Sequence, residues 1–243
     1  MVSLKDYHDG MSKYRAEFHE KNAFGPLLKS DDKREILSFF IYFSGLGIKM
    51  TEPVEDWIER AGKKCKEIGL EKIGKKLERH AAQEAGHHNM MIEDLEALSL
   101  YWNEFNSVKI QPDEVRKITT DGILKYGQVH EDTIENKPFG QVSIEYEIEL
   151  LSLKYGSDIV NHFRKKLGWE SSKGLSFLED HIELDVGHTK FNEKLLNDVL
   201  TLNSGYLDDL IISGNEALSS YCLFTNNCLE FAKDLCSKAE KGT

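Results

Sequence analysis

The chain has 243 residues, enough to bury a substantial core in one domain spanning residues 1–243. It holds four prolines, long runs of Glu, Lys, Leu and Ala, and no sustained apolar/polar alternation, which exclude a β-rich fold and predict an all-α protein. A net charge of −11 with no Lys/Arg cluster argues against nucleic acid or an anionic membrane surface as partner.

Leu4, Tyr7, Met11, Tyr14 and Phe18 fall at steps of three and four, predicting a first helix from Ser3 to about Lys21, broken at Gly25-Pro26. A second helix starts at an Asp31 or Asp32 N-cap and carries the apolar run ILSFFIYFSGLGI, whose aromatics are expected to pack in the core or line a pocket. Gly45 and Gly47 should either loosen that helix or admit a close neighbour. Thr51 is expected to cap a third helix through Trp57, with Gly69 ending it. A long helix from about Glu71 to Phe105 follows, bent near Gly86, and then one from about Asp113 to Asn136, closed by Lys137-Pro138. Helices are expected over Phe139–Tyr155, over Ser157–Leu167, from after Gly174 to about Thr201, and from Ser204 to Ala239. Cys65, Cys222, Cys228 and Cys236 contain no C-x-x-C pair, so neither a zinc ribbon nor a redox dithiol is suggested; buried thiols in a reducing cytosol are expected. The N-terminus lacks a basic and apolar leader and no apolar run is long enough to cross a bilayer, so a cytoplasmic location is expected.

One segment occurs twice. Leu77–Leu95, LERHAAQEAGHHNMMIEDL, returns as Leu178–Leu196, LEDHIELDVGHTKFNEKLL. Each copy reads H-x-x-x-[DE]-x-G-H, matching His80 with His181, Glu84 with Asp185 and His87 with His188. Positions i, i+4 and i+7 share one helical stripe, stacked over roughly 10 Å of axis. Apolar residues continue both stripes (Ile73, Leu77, Met91 and Leu98; Leu178, Leu195 and Val199), so each helix pushes two imidazoles and a carboxylate into a core. An unpaired buried carboxylate costs several kcal/mol or becomes neutral. A metal ion removes that penalty, and carboxylate with imidazole suits iron or manganese. Two such helices imply a bundle with pseudo-twofold symmetry at its centre.

Sites of this kind add glutamates from further helices. Val142, Tyr146, Glu149 and Leu153 share a face, which makes Glu149 the candidate, with Glu145 beside it as the second choice. Glu147 points away and is expected to be solvated. Glu35 is a weaker candidate in a helix's first turn, and His88, facing Thr189 in the second copy, is a neighbour of the site rather than a ligand.

At these residues the chain resembles the heme-oxygenase-like di-iron oxidases and oxygenases. His181, Asp185 and His188 match that family's H-x-x-x-D-x-x-H set, and Tyr146 with Glu149 looks like its Y-x-x-E. The first helix departs from the pattern: His80 stands where some members carry a glutamate. The resemblance implies a heme-oxygenase-like bundle, a metal set of His80, Glu84, His87, Glu149, His181, Asp185 and His188, and two iron ions (or Fe/Mn) using O₂ on a small amino acid, amine or fatty acid. A homodimer is a further expectation. The rivals are a ferritin-like bundle, a metal-free enzyme similar to thiaminase II or pyrroloquinoline-quinone synthase, and a metal or heme carrier with His19 as axial ligand.

Overall fold

The computed structural model describes residues 2–169 and 173–241, and among these every regular element is helical. Helix α1 (Leu4–Lys21) opens with a reciprocal capping box between Ser3 and Asp6 and buries Tyr7, Met11 and Phe18. The chain turns at Asn22, three residues before the glycine-proline pair. The Asn22 side chain donates to Phe18 O at 2.6 Å and accepts from Phe24 N at 2.8 Å. Pro26 then sits inside the short α2 (Phe24–Lys29), near its start, where a missing N–H costs nothing.

Asp32 caps α3 (Lys33–Thr51), accepting from Arg34 N and Glu35 N. Gly45 and Gly47 do not bend this helix. They let neighbours in: a Cβ at Gly45 would collide with Val115, and one at Gly47 with the Met91 sulfur. Phe39, Phe40 and Phe43 pack on one another and on Phe24, Phe163 and Phe224, so the aromatic run is core. Thr51 ends α3, with its hydroxyl on Gly47 O at 3.1 Å, instead of capping the next helix. Helix α4 (Val54–Glu67) begins after Pro53.

The predicted 71–105 helix is two helices, α5 (Glu71–Glu84) and α6 (His88–Phe105). Gly86 takes φ +83°, a left-handed conformation that ends α5. Asn89 fixes the turn, its amide donating to Gly86 O at 2.9 Å. The span 113–136 is likewise split, into α7 (Pro112–Lys117) and α8 (Asp121–Asn136), with Thr120 accepting from Ile123 N. A 3₁₀ turn at Pro138–Gly140 leads into α9 (Gln141–Leu151), a π-helical segment (Ser152–Gly156) and α10 (Ser157–Leu167). The π turn shifts the register, so Leu153, which the 3.6-residue count places on the core stripe, is 39 % exposed. Helix α11 (Ser176–Leu202), a 3₁₀ turn at Ser204–Tyr206 and α12 (Leu207–Lys241) complete the chain.

Helix α9 lies between α11 and α12, and α12 also packs on α1, α3 and α8. On the other side α4 and α5 cross at Gly62 and Gly74, where a Cβ on either residue would strike the other's carbonyl oxygen. That close crossing seats α5 against the bundle and turns His80 inward. No helix is long and apolar enough to cross a membrane among the described residues. All four cysteines are free, three of them buried.

Candidate metal centre

All seven expected ligands converge. Helix α5 supplies His80 and Glu84, the Gly86 turn supplies His87, α9 supplies Glu149, and α11 supplies His181, Asp185 and His188. Six of them sort into two groups that share one carboxylate, His80, Glu84, Glu149 and His188 in one and Glu84, His87 and His181 in the other, and Asp185 lies outside both. The Glu84 oxygens divide between them. Oε1 lies 3.2 Å from His188 Nδ1 and 3.9 Å from His80 Nε2, whereas Oε2 lies 2.9 Å from His87 Nδ1. Glu149 Oε1 lies 3.2 Å from His80 Nε2, and Asp185 Oδ1 is 3.5 Å from His188 Nδ1.

The imidazoles pair crosswise, the first of one row with the last of the other. His80 and His188 have ring centroids 5.1 Å apart, and His87 and His181 4.9 Å. Two matched rows running in opposite directions give this pairing, but the rows are unequal. Gly187 sits inside the unbroken α11, while Gly86 breaks the first copy. Asn89 holds that break, and the corresponding residue of the second copy is Lys190.

The buried nitrogens lack hydrogen bonds despite these short distances. Both ring nitrogens of His80, Nδ1 of His87, Nδ1 of His188 and Oδ1 of Asp185 are without a hydrogen-bond partner. Nitrogen and oxygen approach to about 3 Å with no hydrogen suitably aimed between them, which is how two sets of lone pairs meet around a cation. Three carboxylates among neutral imidazoles also leave a negative charge that divalent cations would neutralise.

The protonation balance reflects that missing charge. Burial holds the Glu149 carboxyl well above the usual carboxylate range. It also works against ionisation of Glu84, but His87, His80 and His181 outweigh it and pull the Glu84 carboxyl below its ordinary value. Contact with Glu84 raises His87, contact with Asp185 raises His188, and burial lowers His80.

Two supports were not foreseen. Asn192 donates its amide to both oxygens of Glu149, at 3.0 and 2.9 Å. It continues the stripe of His181, Asp185 and His188 by one more step of four, the signal that could have found it. Asp94 of α6 is buried and accepts from Gly174 N, Ser176 N, Ser176 Oγ and Phe177 N at 2.8–3.0 Å. It thereby caps the start of α11 from another helix, one turn before His181. Phe177 O in turn lies 2.7 Å from His181 Nδ1, so Nδ1 carries the proton and Nε2 keeps its lone pair for a ligand role. Asp94→Ala is expected to destabilise the protein by about 2–3 kcal/mol in urea unfolding, because it strands buried donors at a helix start. The same variant should bind metal more weakly through His181.

Glu145 lies within the bundle but outside both groups; its Oε1 accepts from Gln141 Nε2 at 2.6 Å. Glu147 contradicts the expectation of a solvated side chain. It is 1 % exposed, bound twice by Arg15 (2.8 and 2.6 Å) and once by the Tyr7 hydroxyl (2.8 Å). Glu35 in α3 and His88 in α6 are outside both groups. His19 is exposed, with Nδ1 on the Tyr155 hydroxyl at 2.8 Å, a position that offers no enclosed site for an axial heme ligand.

A cavity opens beside Glu84, Glu149, His181 and Asp185, walled by Met50, Met91, Ile148, Tyr126, Tyr221 and Phe224. The space open to a water centre is about 80 Å³.

Comparison with solved structures identifies the architecture. A domain of unknown function with a heme oxygenase-like fold from Shewanella denitrificans superposes with a TM-score of 0.78 at 12 % identity, covering 98 % of this chain and 96 % of its own. A TenA homolog from Pseudomonas syringae pv. tomato gives 0.68 at 12 %, over 93 % and 92 %. The heme oxygenase of Leptospira interrogans gives 0.55 at 16 %, over 94 % and 98 %. The chain therefore has the all-α heme-oxygenase-like fold. No family model and no curated protein matches the sequence.

Proposed function

We propose that the protein is a metal-dependent oxidoreductase that holds two iron ions, or an iron/manganese pair, and uses O₂ to oxidise a small organic substrate. The observation that carries this reading is Glu84: its two oxygens face two separate histidine groups whose inward nitrogens have no hydrogen bond. His80, His188 and Glu149 would hold one ion, His87 and His181 the other, with Glu84 common to both and the free Oδ1 of Asp185 beside His188. When bound, such a pair supplies the redox chemistry by which O₂ is reduced and substrate oxidised. The chain's own part is positional. Asn192 fixes the Glu149 carboxylate, Phe177 O sets the His181 tautomer, and Met50, Met91 and Ile148 give the cavity an apolar wall. A metal-free site similar to that of thiaminase II would leave both nitrogens of the buried His80 without a partner.

Anaerobic titration with Fe(II) is expected to saturate at two equivalents, and the loaded protein should consume O₂ when substrate is present. The affinity should climb with pH. His87, His188 and Glu149 hold protons above their ordinary ranges in the metal-free site, and these must leave before a cation binds. Each displaced proton adds up to about tenfold in affinity per pH unit until its group's own pKa is passed. Saturation below one equivalent, or an affinity flat between pH 6 and 8, would count against the reading.

A further inference from the structure

The cavity beside the metal ligands has a one-sided charge. Among the described residues its wall includes no lysine or arginine, yet it includes Glu145, which belongs to neither ligand group. Glu145 is 93 % buried, since its relative exposure is 7 %. Gln141 binds one of its oxygens, and no described residue donates to the other. Gln141 is itself held by His130, 2.9 Å from its amide nitrogen, and His130 lies flat on Trp57 at 4.0 Å between ring centroids. Burial pulls His130 down to about 3, so this support brings no positive charge to the carboxyl. Burial pushes the Glu145 carboxyl up to about 8, with His80 opposing the shift, so the empty cavity leaves it holding a proton that a cationic head would replace as its counter-charge.

The rest of the wall describes the body of the ligand. Tyr126 and Tyr221 also line the cavity. Their oxygens can take further N–H groups of a bound head. Met50, Val54, Met91, Ile148 and Phe224 form the apolar remainder. Room of about 80 Å³ corresponds to about five to eight water-sized groups.

We infer that this cavity binds a small primary alkylammonium, of about five to eight non-hydrogen atoms, with its charged head on Glu145 and its hydrocarbon body against the methionine and phenylalanine side chains. This names the substrate class of the site proposed above and rests on that cavity being the reaction chamber. Amino acids and fatty acids would have to place their carboxylates on the metal ions, since the wall holds no lysine or arginine among the described residues.

The test is binding of three compounds of one shape, 3-methylbutylamine, 3-methylbutan-1-ol and 3-methylbutanoate, by calorimetry at pH 7.5 on protein whose metal content has been measured. The amine is expected to bind about tenfold or more tighter than the alcohol, a single well-formed charged contact, and the carboxylate not at all. In Glu145→Gln the amine's advantage over the alcohol should disappear while the metal content stays that of the parent. Equal binding of amine and alcohol by the parent protein overturns the inference, and so does carboxylate binding as tight as the amine, which would assign the head group to the metal ions. The parent ranking needs no variant, so it decides the matter even if Glu145→Gln fails to fold. A retained ranking in protein that takes up no metal would sink the oxidoreductase reading and leave this one standing.

Discussion

Glu84→Ala is expected to empty both halves of the metal centre at once, dropping bound Fe(II) from two equivalents to well under one. The expectation comes from the division of its carboxylate, with Oε1 toward His80 and His188 and Oε2 toward His87. No other ligand belongs to both groups. Single substitutions elsewhere should therefore behave differently. His181→Ala removes a donor from the second group alone and should leave one ion, and His188→Ala does the same for the first group. Elemental analysis of the three variants separates a shared carboxylate from seven independent ligands, because equal partial losses in all three would contradict the sharing. Glu84→Ala should still fold. Glu84 is the last residue of α5, beside the Gly86 turn, and its removal costs the contacts with His87 and His188 but leaves the apolar packing of the helix in place.

Much of this centre was legible in the sequence because metal ligands replace apolar residues at positions the helical period already marks. His181, Asp185 and His188 obey that period, and so does Asn192. His87 does not. It reaches the site through a turn, and the repeat read as two equal helices conceals that Gly86 is left-handed while Gly187 is helical. The choice is made by a neighbour three residues on, Asn89 against Lys190, a contact too local for hydrophobic periodicity to register. Asp94 was out of reach for another reason: it caps a helix 82 residues further along the chain, at Ser176. Such a partnership exists only after α6 and α11 have been packed together.

Helix α9 was the hardest element to read, since Val142, Ile144, Tyr146 and Leu151 are buried together with Ser143, Glu145, Glu147 and Glu149. A helix buried on every side has no solvent stripe, and a glutamate counted onto its far face is wrongly sent to water. The polar residues fall instead into two pairs at i, i+4, about 200° apart around the axis. Glu145 and Glu149 face the cavity, whereas Ser143 and Glu147 face α1 through Tyr7 and, for Glu147, Arg15. The second pair fixes the rotation of the helix and hence the aim of the first. Glu147→Ala is accordingly expected to destabilise the protein by about 3 kcal/mol, at the lower end for a broken buried ion pair, because Arg15 is 27 % exposed and can turn partly to water. In a chain of this size that is about a 10 °C fall in melting temperature. Glu147→Gln keeps the shape and part of the hydrogen bonding and should lose roughly half as much. A solvated glutamate would change stability by less than about 0.5 kcal/mol on either substitution, so urea unfolding of these two variants distinguishes a helix locked from behind by Arg15 from one that presents Glu147 to solvent.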